Sequence, residues 1–305
     1  MTIAAGFVCR EGILLCADTE QTDWAMKLHG SKVGHFQFPG GQLAYAYSGN
    51  TRFAFSAIHK CRKELESGVT GDALAHIETI LDVEFRRNAF EHPDYSKDKA
   101  GIGYQFILAL RIEDAPFRMY VTTETAIHQV SEYDCIGFGE YLAHYLIRPW
   151  WVGGLPIHSV LSMAAYALTG TKEYVPGCGG VLVYLVLMHD GRVGVLTSHH
   201  PGASENVERF AKGYDAAAQY LLKEMASEIS TDEQFEHYLK HVWSEQIMET
   251  RRRWTRTRQQ READFASRNP NLAPNQVIAA CRQLSMGLIP DQLPSPELPG
   301  GTDES

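Results

Sequence analysis

The sequence lacks the features that mark membrane proteins, nucleic-acid binders and disulfide-rich or zinc-binding domains. No apolar run in its 305 residues approaches the ~20 residues that a membrane helix needs, so we expect no membrane partner. Lysine and arginine total 28 against 37 aspartates and glutamates, and this net charge of −9 argues against a nucleic-acid partner. The six cysteines are scattered without a Cys-x-x-Cys pair, which indicates neither a zinc site nor a disulfide framework.

Signals for secretion and for a bound cofactor are also missing. The start of the chain has no basic segment before its short apolar run and reaches a charge at Arg10, unlike a signal peptide. We therefore expect a cytoplasmic protein. The glycine-rich run 177–180 is followed by neither Lys-Ser/Thr nor a helix start, so it is not a phosphate loop. We expect no cofactor and no metal.

The residues that are present have the composition of a folded protein, with 44% hydrophobic and 21% charged residues. Apolar runs bounded by turn residues predict hairpins over 2–17, 32–48 and 181–198, and further strands within 104–130. Apolar residues at a period of 3.6 predict helices over 50–67, 71–88, 156–170 and 204–226. Hairpins and helices that are segregated along the chain predict a layered α+β fold.

The chain is predicted to have three parts. Residues 1–228 carry the strands and most helices and form the main domain. Residues 229–269 form a polar helical extension, and residues 270–305 form a flexible, proline-rich tail.

The first two hairpins bring chemically useful residues toward each other. A two-residue turn at Arg10-Glu11, or one shifted by a residue, places Thr2 opposite Thr19 or Gln21, with Asp18 adjacent. A turn at Pro39-Gly40, or at Gly40-Gly41, places Lys32 opposite Tyr47 or Gly49, so that Lys32 meets residues 48–50. If the first strands of both hairpins are neighbours, one small volume holds the amino end, a carboxylate, an ammonium and a glycine turn.

These groups are the inventory of an amino-terminal nucleophile hydrolase. Once Met1 is removed, the α-amine of Thr2, with a pKa near ~8, can take the proton of the Thr2 hydroxyl. Lys32 keeps that amine from protonating and stabilises negative charge, Asp18 holds the lysine, and the Gly49 amide can bind the oxyanion. This chemistry needs no histidine.

Several short segments carry a family resemblance. They are Thr2-Ile3 at the start of a strand, Gly12 to Thr19, Ser31-Lys32-Val33, Tyr47-Ser48-Gly49, Cys135 to Gly139 and Gly177 to Gly180. In this order and spacing they resemble the proteasome β-type family, which includes the peptidase of the bacterial heat-shock-locus protease. The resemblance covers residues 2 to about 225. It implies a four-layer αββα sandwich, threonine-type endopeptidase activity and assembly of copies of the chain into a ring with the sites inside.

The resemblance also assigns roles to particular residues. Thr2 matches the nucleophile, Asp18 the carboxylate that orients the lysine, and Lys32 the catalytic lysine, with Lys27 as a rival because this chain is two residues shorter before Lys32. Thr22 falls at the contact with the substrate strand, and Ser48 or Gly49 at the oxyanion amide. Ser48 and Asn50, beside that amide, are further candidates for substrate binding. The implied substrate is a peptide or unfolded protein, and an ATP-driven unfoldase is a possible partner.

The second half of the chain departs from the family pattern. Phe138 stands where active members have a serine, and Val175 and Cys178 stand where they have an aspartate and a serine. Those polar groups normally support the amino terminus. Two alternatives therefore stay open: a catalytically silent ring subunit or scaffold, and an amidase of the same nucleophile class that acts on a small substrate.

Overall fold

A computed structural model describes residues 2–23, 26–68, 71–196, 231–237, 259–260 and 262–285 of the chain. In this part of the chain the strands are β1 (Ile3–Val8), β2 (Gly12–Asp18), β3 (Glu20–Asp23), β4 (Met26–His29), β5 (Val33–Phe38), β6 (Gly41–Gly49), β7 (Tyr104–Ile112), β8 (Arg118–Thr123), β9 (Ala126–Val130), β10 (Tyr133–Gly137), β11 (Leu182–Met188) and β12 (Val193–Leu196). The helices are α1 (Thr51–Glu66), α2 (Ala73–Phe85), α3 (Lys99–Ile102), α4 (Glu140–Ile147), α5 (Ile157–Tyr174), α6 (Asp232–His237) and α7 (Pro274–Ser285), and a π-helical turn, Arg86–Phe90, follows α2.

The described strands form antiparallel sheets, as the α+β prediction requires. The first five-stranded sheet has the order β10-β1-β2-β11-β12, and the second has the order β5-β6-β7-β8-β9. Strands β3 and β4 form a separate two-stranded sheet. Every residue of β2 is buried, because this strand lies inside the first sheet and both of its faces are covered.

Both predicted amino-terminal hairpins are present, and the structure selects one of the two registers in each. Ala4 pairs with Ala17, which leaves Thr2 level with Thr19. Val33 pairs with Ala46, and the Tyr47 amide donates to the Lys32 carbonyl at 3.0 Å. Pairing is local in each case because the turn sets which residues face each other.

The first strands of the two hairpins are not neighbours in one sheet. The sequence argument had assumed that they were, and this assumption is wrong. Strand β1 pairs with β10 on one side and β2 on the other, whereas β5 pairs with β6 in the second sheet. The two hairpins meet face to face. Inward residues of both sheets, among them Ala4, Ala46 and Ile107, share one buried cluster.

Two further buried clusters lie on the outer faces of the sheets. One joins α4 and α5 to β1, β2 and β11, and includes Phe7, Leu168 and Tyr184. The other joins α1 and α2 to β6 and β7, and includes Cys61 and Phe106. Within each sheet strand the side chains alternate between faces, so a strand such as β1 sends Ala4 to one cluster and Ala5 to another.

Several sequence predictions about elements need correction. The hairpin of β3 and β4, the strand β10 and the helix α4 were not expected as such, and α5 continues through Gly170 to Tyr174 because packing on the sheet outweighs the cost of a glycine in a helix. Residues 274–285, predicted as part of a flexible tail, form α7, in which Val277 is buried.

Other predictions lie partly or wholly outside the described residues. The helix predicted over 204–226 falls there, as do most of the extension predicted over 229–269 and the last twenty residues of the chain. In the part of the chain that the structure describes, no helix combines the length and apolarity that a membrane crossing requires.

Candidate active site

Thr2, Asp18 and Lys32 meet in one buried cluster at the edge where the two sheets face each other. The Lys32 ammonium donates to the Thr2 hydroxyl oxygen at 2.6 Å and to Asp18 Oδ1 at 2.7 Å. It also donates to the backbone carbonyl of Glu20. Its three protons are therefore directed at a hydroxyl, a carboxylate and a carbonyl, which matches the donor capacity of an ammonium.

Backbone amides from two distant segments hold the Asp18 carboxylate. The Ile3 amide donates to Oδ1 at 3.3 Å, and the Gly179 amide donates to Oδ2 at 2.8 Å. Asp18 is fully buried, at the carboxyl end of β2 and beside the start of β1. It thus connects the amino-terminal strand to the segment before β11.

Burial dominates the proton affinities of the charged pair. Desolvation raises the pKa of Asp18 above its ordinary value, against the lowering effect of Lys32. Desolvation lowers the pKa of Lys32, against the raising effects of Asp18, Cys178 and Glu20. The exposed fraction is 1% for Lys32 and 3% for Thr2, so water screens this contact very little.

Ser48 and Gly49 lie next to this cluster. Gly49 has φ +92°, and a Cβ there would lie 2.2 Å from the Gly103 carbonyl oxygen, so only glycine fits. Successive amides of a strand point to opposite sides, so the amides of Tyr47 and Gly49 point to the same side. The Tyr47 amide donates to the Lys32 carbonyl, just before β5 begins. The Gly49 amide therefore faces the region beyond the start of β5, next to Lys32. A Cβ on Gly137 would lie 2.4 Å from the Thr2 carbonyl oxygen and 2.7 Å from Ser48 Oγ, which places Ser48 beside Thr2.

The other sequence candidates lie in different positions. Asn50 is the N-cap of α1, where its side chain accepts from the Phe53 amide at 3.2 Å and donates to the Gly101 carbonyl at 3.1 Å. Thr22 pairs with Lys27 across the β3–β4 hairpin. Lys32 is the lysine whose ammonium contacts Thr2 in the structure.

The segments that depart from the family pattern border the same cluster. Phe138 is 55% exposed, directly after Gly137. Cys178 is buried, and desolvation raises its pKa to about 11, with Asp18 adding to that effect. Its thiol is therefore protonated at neutral pH, and a protonated thiol is a poor nucleophile.

Two contributors to the site were not predicted from the sequence. Gly179 was quoted only as part of a glycine-rich segment, although its amide binds Asp18 from 161 positions away in the chain. Glu20 was not singled out, although its carbonyl accepts from Lys32 and its amide donates to the Gly179 carbonyl at 3.1 Å. Contacts of such sequence separation leave no local pattern. For Glu20, the available signals in the sequence were its carboxylate and its position two residues after Asp18.

Among the residues that the structure describes, no three histidine, cysteine, aspartate or glutamate side chains lie close enough together to hold a metal ion. Asp18 and Lys32, the charged side chains in contact at the site, pair with each other.

The fold and the site together define a class of protein: two facing antiparallel sheets with helices, and a threonine near the amino end that is paired with a buried lysine and aspartate. Comparisons with known proteins bear on the fold of the chain. No known family matches the sequence, and no curated protein matches it either.

The chain is similar to solved structures of Anbu proteins. One, described as a helical assembly of the Anbu complex from Pseudomonas aeruginosa, has 13% identity and a TM-score of 0.63, with 74% of this chain and 97% of that chain covered. Anbu (ancestral beta-subunit) from Yersinia bercovieri has 12% identity and a TM-score of 0.60, with 74% and 98% covered. A Gly-1 mutant of Anbu from Hyphomicrobium sp. strain MC1 has 14% identity and a TM-score of 0.58, with 73% and 97% covered.

This similarity corrects the family that the sequence predicted. The solved structures point to Anbu proteins, so the assignment to the proteasome β-type and heat-shock-locus peptidase family is wrong. The short segments that carried the resemblance are those that build the site and the glycine turns around it. At 12–14% identity the likeness establishes the fold alone.

Proposed function

We propose that the chain is an amino-terminal threonine hydrolase that cleaves peptide bonds and assembles with copies of itself. The observation that carries the proposal is the Lys32 ammonium, which contacts both the Thr2 hydroxyl and the Asp18 carboxylate inside a buried cluster. The buried ion pair of Lys32 and Asp18 costs desolvation energy that apolar side chains of similar size would avoid. Stability alone therefore does not account for a lysine that lies 2.6 Å from the Thr2 hydroxyl.

The reaction begins after Met1 has been removed. The Thr2 α-amine takes the hydroxyl proton as Oγ1 attacks the carbonyl carbon of the scissile bond, and the carbonyl oxygen becomes an oxyanion. Lys32 stabilises the developing negative charge on Oγ1, and the Gly49 amide is the proposed donor to the oxyanion. The ammonium of Thr2 then gives its proton to the leaving nitrogen as the carbon–nitrogen bond breaks. Water hydrolyses the remaining ester in a second round.

Thr22, Ser48 and Asn50 are proposed to contact the substrate. Ser48 lies beside Thr2, so it is near the scissile bond, while Thr22 lies on the short β3 strand, whose backbone can align an extended peptide. Asn50 also caps α1. A peptide or an unfolded protein is the proposed substrate.

The larger organisation is proposed as follows. The three buried clusters support a four-layer αββα order, with α4 and α5 on one outer face and α1 and α2 on the other. Residues 1–228 form the hydrolase domain, residues 229–269 the helical extension and residues 270–305 the terminal segment, which includes α7. One Anbu protein is described as a helical assembly, which supports self-association in a closed ring or a helix. An ATP-driven unfoldase and a cytoplasmic location complete the proposal.

A catalytically silent subunit is the second candidate. The observation that favours it is that the apolar Phe138 follows Gly137 beside Thr2 and that the buried Cys178 thiol next to the cluster is protonated. An amidase that acts on a small substrate would use the same nucleophile. It would differ from a peptidase only in its substrate.

Two measurements on the full chain test the proposal. Intact mass should show that the native protein begins at Thr2. Thr2→Ala should abolish cleavage of an unfolded casein or a fluorogenic peptide while Thr2→Ser keeps a measurable rate, because serine retains the hydroxyl. Full activity in Thr2→Ala, or in protein that keeps Met1, contradicts the mechanism. Cleavage of small amides but not of peptides indicates the amidase, and no cleavage of either indicates the silent subunit.

The two lysines provide a matched pair of variants. Lys32→Ala should lower kcat/KM by at least ~10²-fold, the scale of losing a charge-stabilising partner. Lys27→Ala should change it by less than ~10-fold, mainly through KM, since Lys27 lies on the β3–β4 hairpin. The opposite ranking contradicts the assignment of Lys32.

A further inference from the structure

The site contains a second acidic residue that the proposed mechanism does not use. Glu20 is 6% exposed, and such burial is rare for a glutamate. It is the first residue of β3 and lies two positions after Asp18, the last residue of β2. Both of its backbone polar groups are held within the site: the amide donates to the Gly179 carbonyl at 3.1 Å, and the carbonyl accepts from Lys32. Its backbone therefore cannot move without disturbing Lys32.

The side chain of Glu20 lies against the same glycine that holds Asp18. A Cβ on Gly179 would lie 2.3 Å from Glu20 Oε2, and the Gly179 amide donates to Asp18 Oδ2 at 2.8 Å. Asp18 Oδ1 in turn accepts from Lys32 at 2.7 Å. The Gly179 backbone thus lies between the carboxylates of Asp18 and Glu20, and Asp18 contacts the Lys32 ammonium directly.

We propose that the Glu20 carboxylate is a positioning residue of this site, which keeps Lys32 in its ammonium form so that it can donate to the Thr2 hydroxyl. The functional part of this inference rests on the hydrolase proposed above. The charge state of Lys32 can be measured without any substrate.

The physical reason is the instability of a single buried ion pair. A lysine and an aspartate that are both removed from water can exchange the proton and become neutral, since desolvation penalises both charges. A neutral Lys32 would no longer stabilise a developing alkoxide. A second carboxylate nearby favours the ammonium: burial lowers the pKa of Lys32, Asp18 opposes this most strongly, and Cys178 and Glu20 add to the opposing effect.

Other titratable groups face the cluster from the elements packed around it. Cys178 lies in the segment before β11 and interacts with Asp18, Lys32 and Glu20. Tyr47 on β6 interacts with Asp18, and burial raises its pKa to about 12. His29 on β4 pairs with Glu20 across the hairpin and is exposed. Burial raises the pKa of the Cys178 thiol to about 11, so Cys178 and Tyr47 both keep their protons at neutral pH.

The test is an NMR titration of the lysine ε-methylene signals in the full chain, with the Lys32 signal identified by its loss in Lys32→Arg. Glu20→Gln should lower the midpoint of Lys32, with a rise of about two-fold or more in its proton dissociation constant. Glu20→Asp, which keeps the carboxylate, should recover most of this change. Glu64→Gln is the matched control, because it removes an exposed carboxylate that pairs with Lys60 at 2.8 Å, and it should leave Lys32 unchanged.

Each result has a defined meaning. An unchanged Lys32 midpoint in folded Glu20→Gln overturns the inference, whether or not the protein is active. If Glu20→Gln does not fold, Glu20→Thr takes its place, because threonine suits a strand and is also neutral. Suppose that Glu20→Gln lowers the Lys32 midpoint but the wild-type protein cleaves no substrate. This result supports the role of Glu20 and contradicts the hydrolase. In an active protein the alkaline limb of kcat/KM should move to lower pH in Glu20→Gln, and a fall in rate with no such movement contradicts the positioning role.

Discussion

At the scale of single residues, the site depends on its glycines as much as on its polar side chains. Gly137 has φ +104° and borders both the Thr2 carbonyl and Ser48. Gly179 leaves room for the Glu20 carboxylate. These glycines allow Thr2, Asp18 and Lys32 to come together without a clash, so a methyl group at either position should displace atoms of this cluster.

Gly137→Ala tests this with Gly40→Ala as its control. Both positions have positive φ, which costs an alanine roughly 1 kcal/mol, but a Cβ on Gly40 meets nothing within 4 Å. We expect Gly40→Ala to lower the free energy of unfolding by about 1 kcal/mol. Gly137→Ala should lower it by at least ~3 kcal/mol, since its Cβ would lie 2.4 Å from the Thr2 carbonyl oxygen. Urea unfolding measures both, and equal losses would show that Thr2 is not tightly packed there.

At the scale of elements, the helix after β6 begins at a residue that was expected to serve the substrate. Asn50 caps α1, with its side-chain oxygen accepting from the Phe53 amide. Asn50→Ala should therefore lower the free energy of unfolding by about 1 kcal/mol. Asn50→Asp keeps the cap acceptor and should lose only a few tenths of that, and thermal denaturation compares the two. If both variants lose the same stability, the bond from Asn50 to the Gly101 carbonyl matters more than the cap.

Elements with a local signal were predictable, and elements without one were not. The hairpins around 10–11 and 39–41 have turn residues between apolar strands, and α1 and α2 have a clear apolar period. The β3–β4 hairpin has no glycine at its turn, and β10 and α4 are short. Helix α4 also exposes Tyr141 and Tyr145, which weakens its amphipathic pattern.

At the scale of the whole molecule, the described chain leaves large apolar side chains on its surface. Tyr141, Tyr145, Trp150, Val152 and Tyr174 are between 53% and 82% exposed. Four of them lie within residues 141–152, and contiguous exposed apolar surface often marks an interaction site. This supports the self-association proposed above.

Multi-angle light scattering of the native protein at micromolar concentration tests the assembly. The expected mass is a multiple of the 34.1 kDa chain. Dilution to nanomolar concentration in the same buffer is the control, since a specific assembly should persist over that range or dissociate into discrete species. A monomer mass at all concentrations contradicts a ring or helix.

The sequence by itself determined the local arrangement: two hairpins whose turns bring Thr2 close to Asp18 and Lys32 close to Tyr47, and helices whose apolar stripes require a sheet to cover. These features follow from pairing and periodicity over a few residues, where the turn or the period leaves one or two options. Only the tertiary structure decided that the two hairpins face each other from different sheets, that Lys32 reaches Thr2, and that Gly179 and Glu20 complete the site. Those contacts join segments up to 161 positions apart, and their geometry depends on how all the buried side chains between the sheets pack at once.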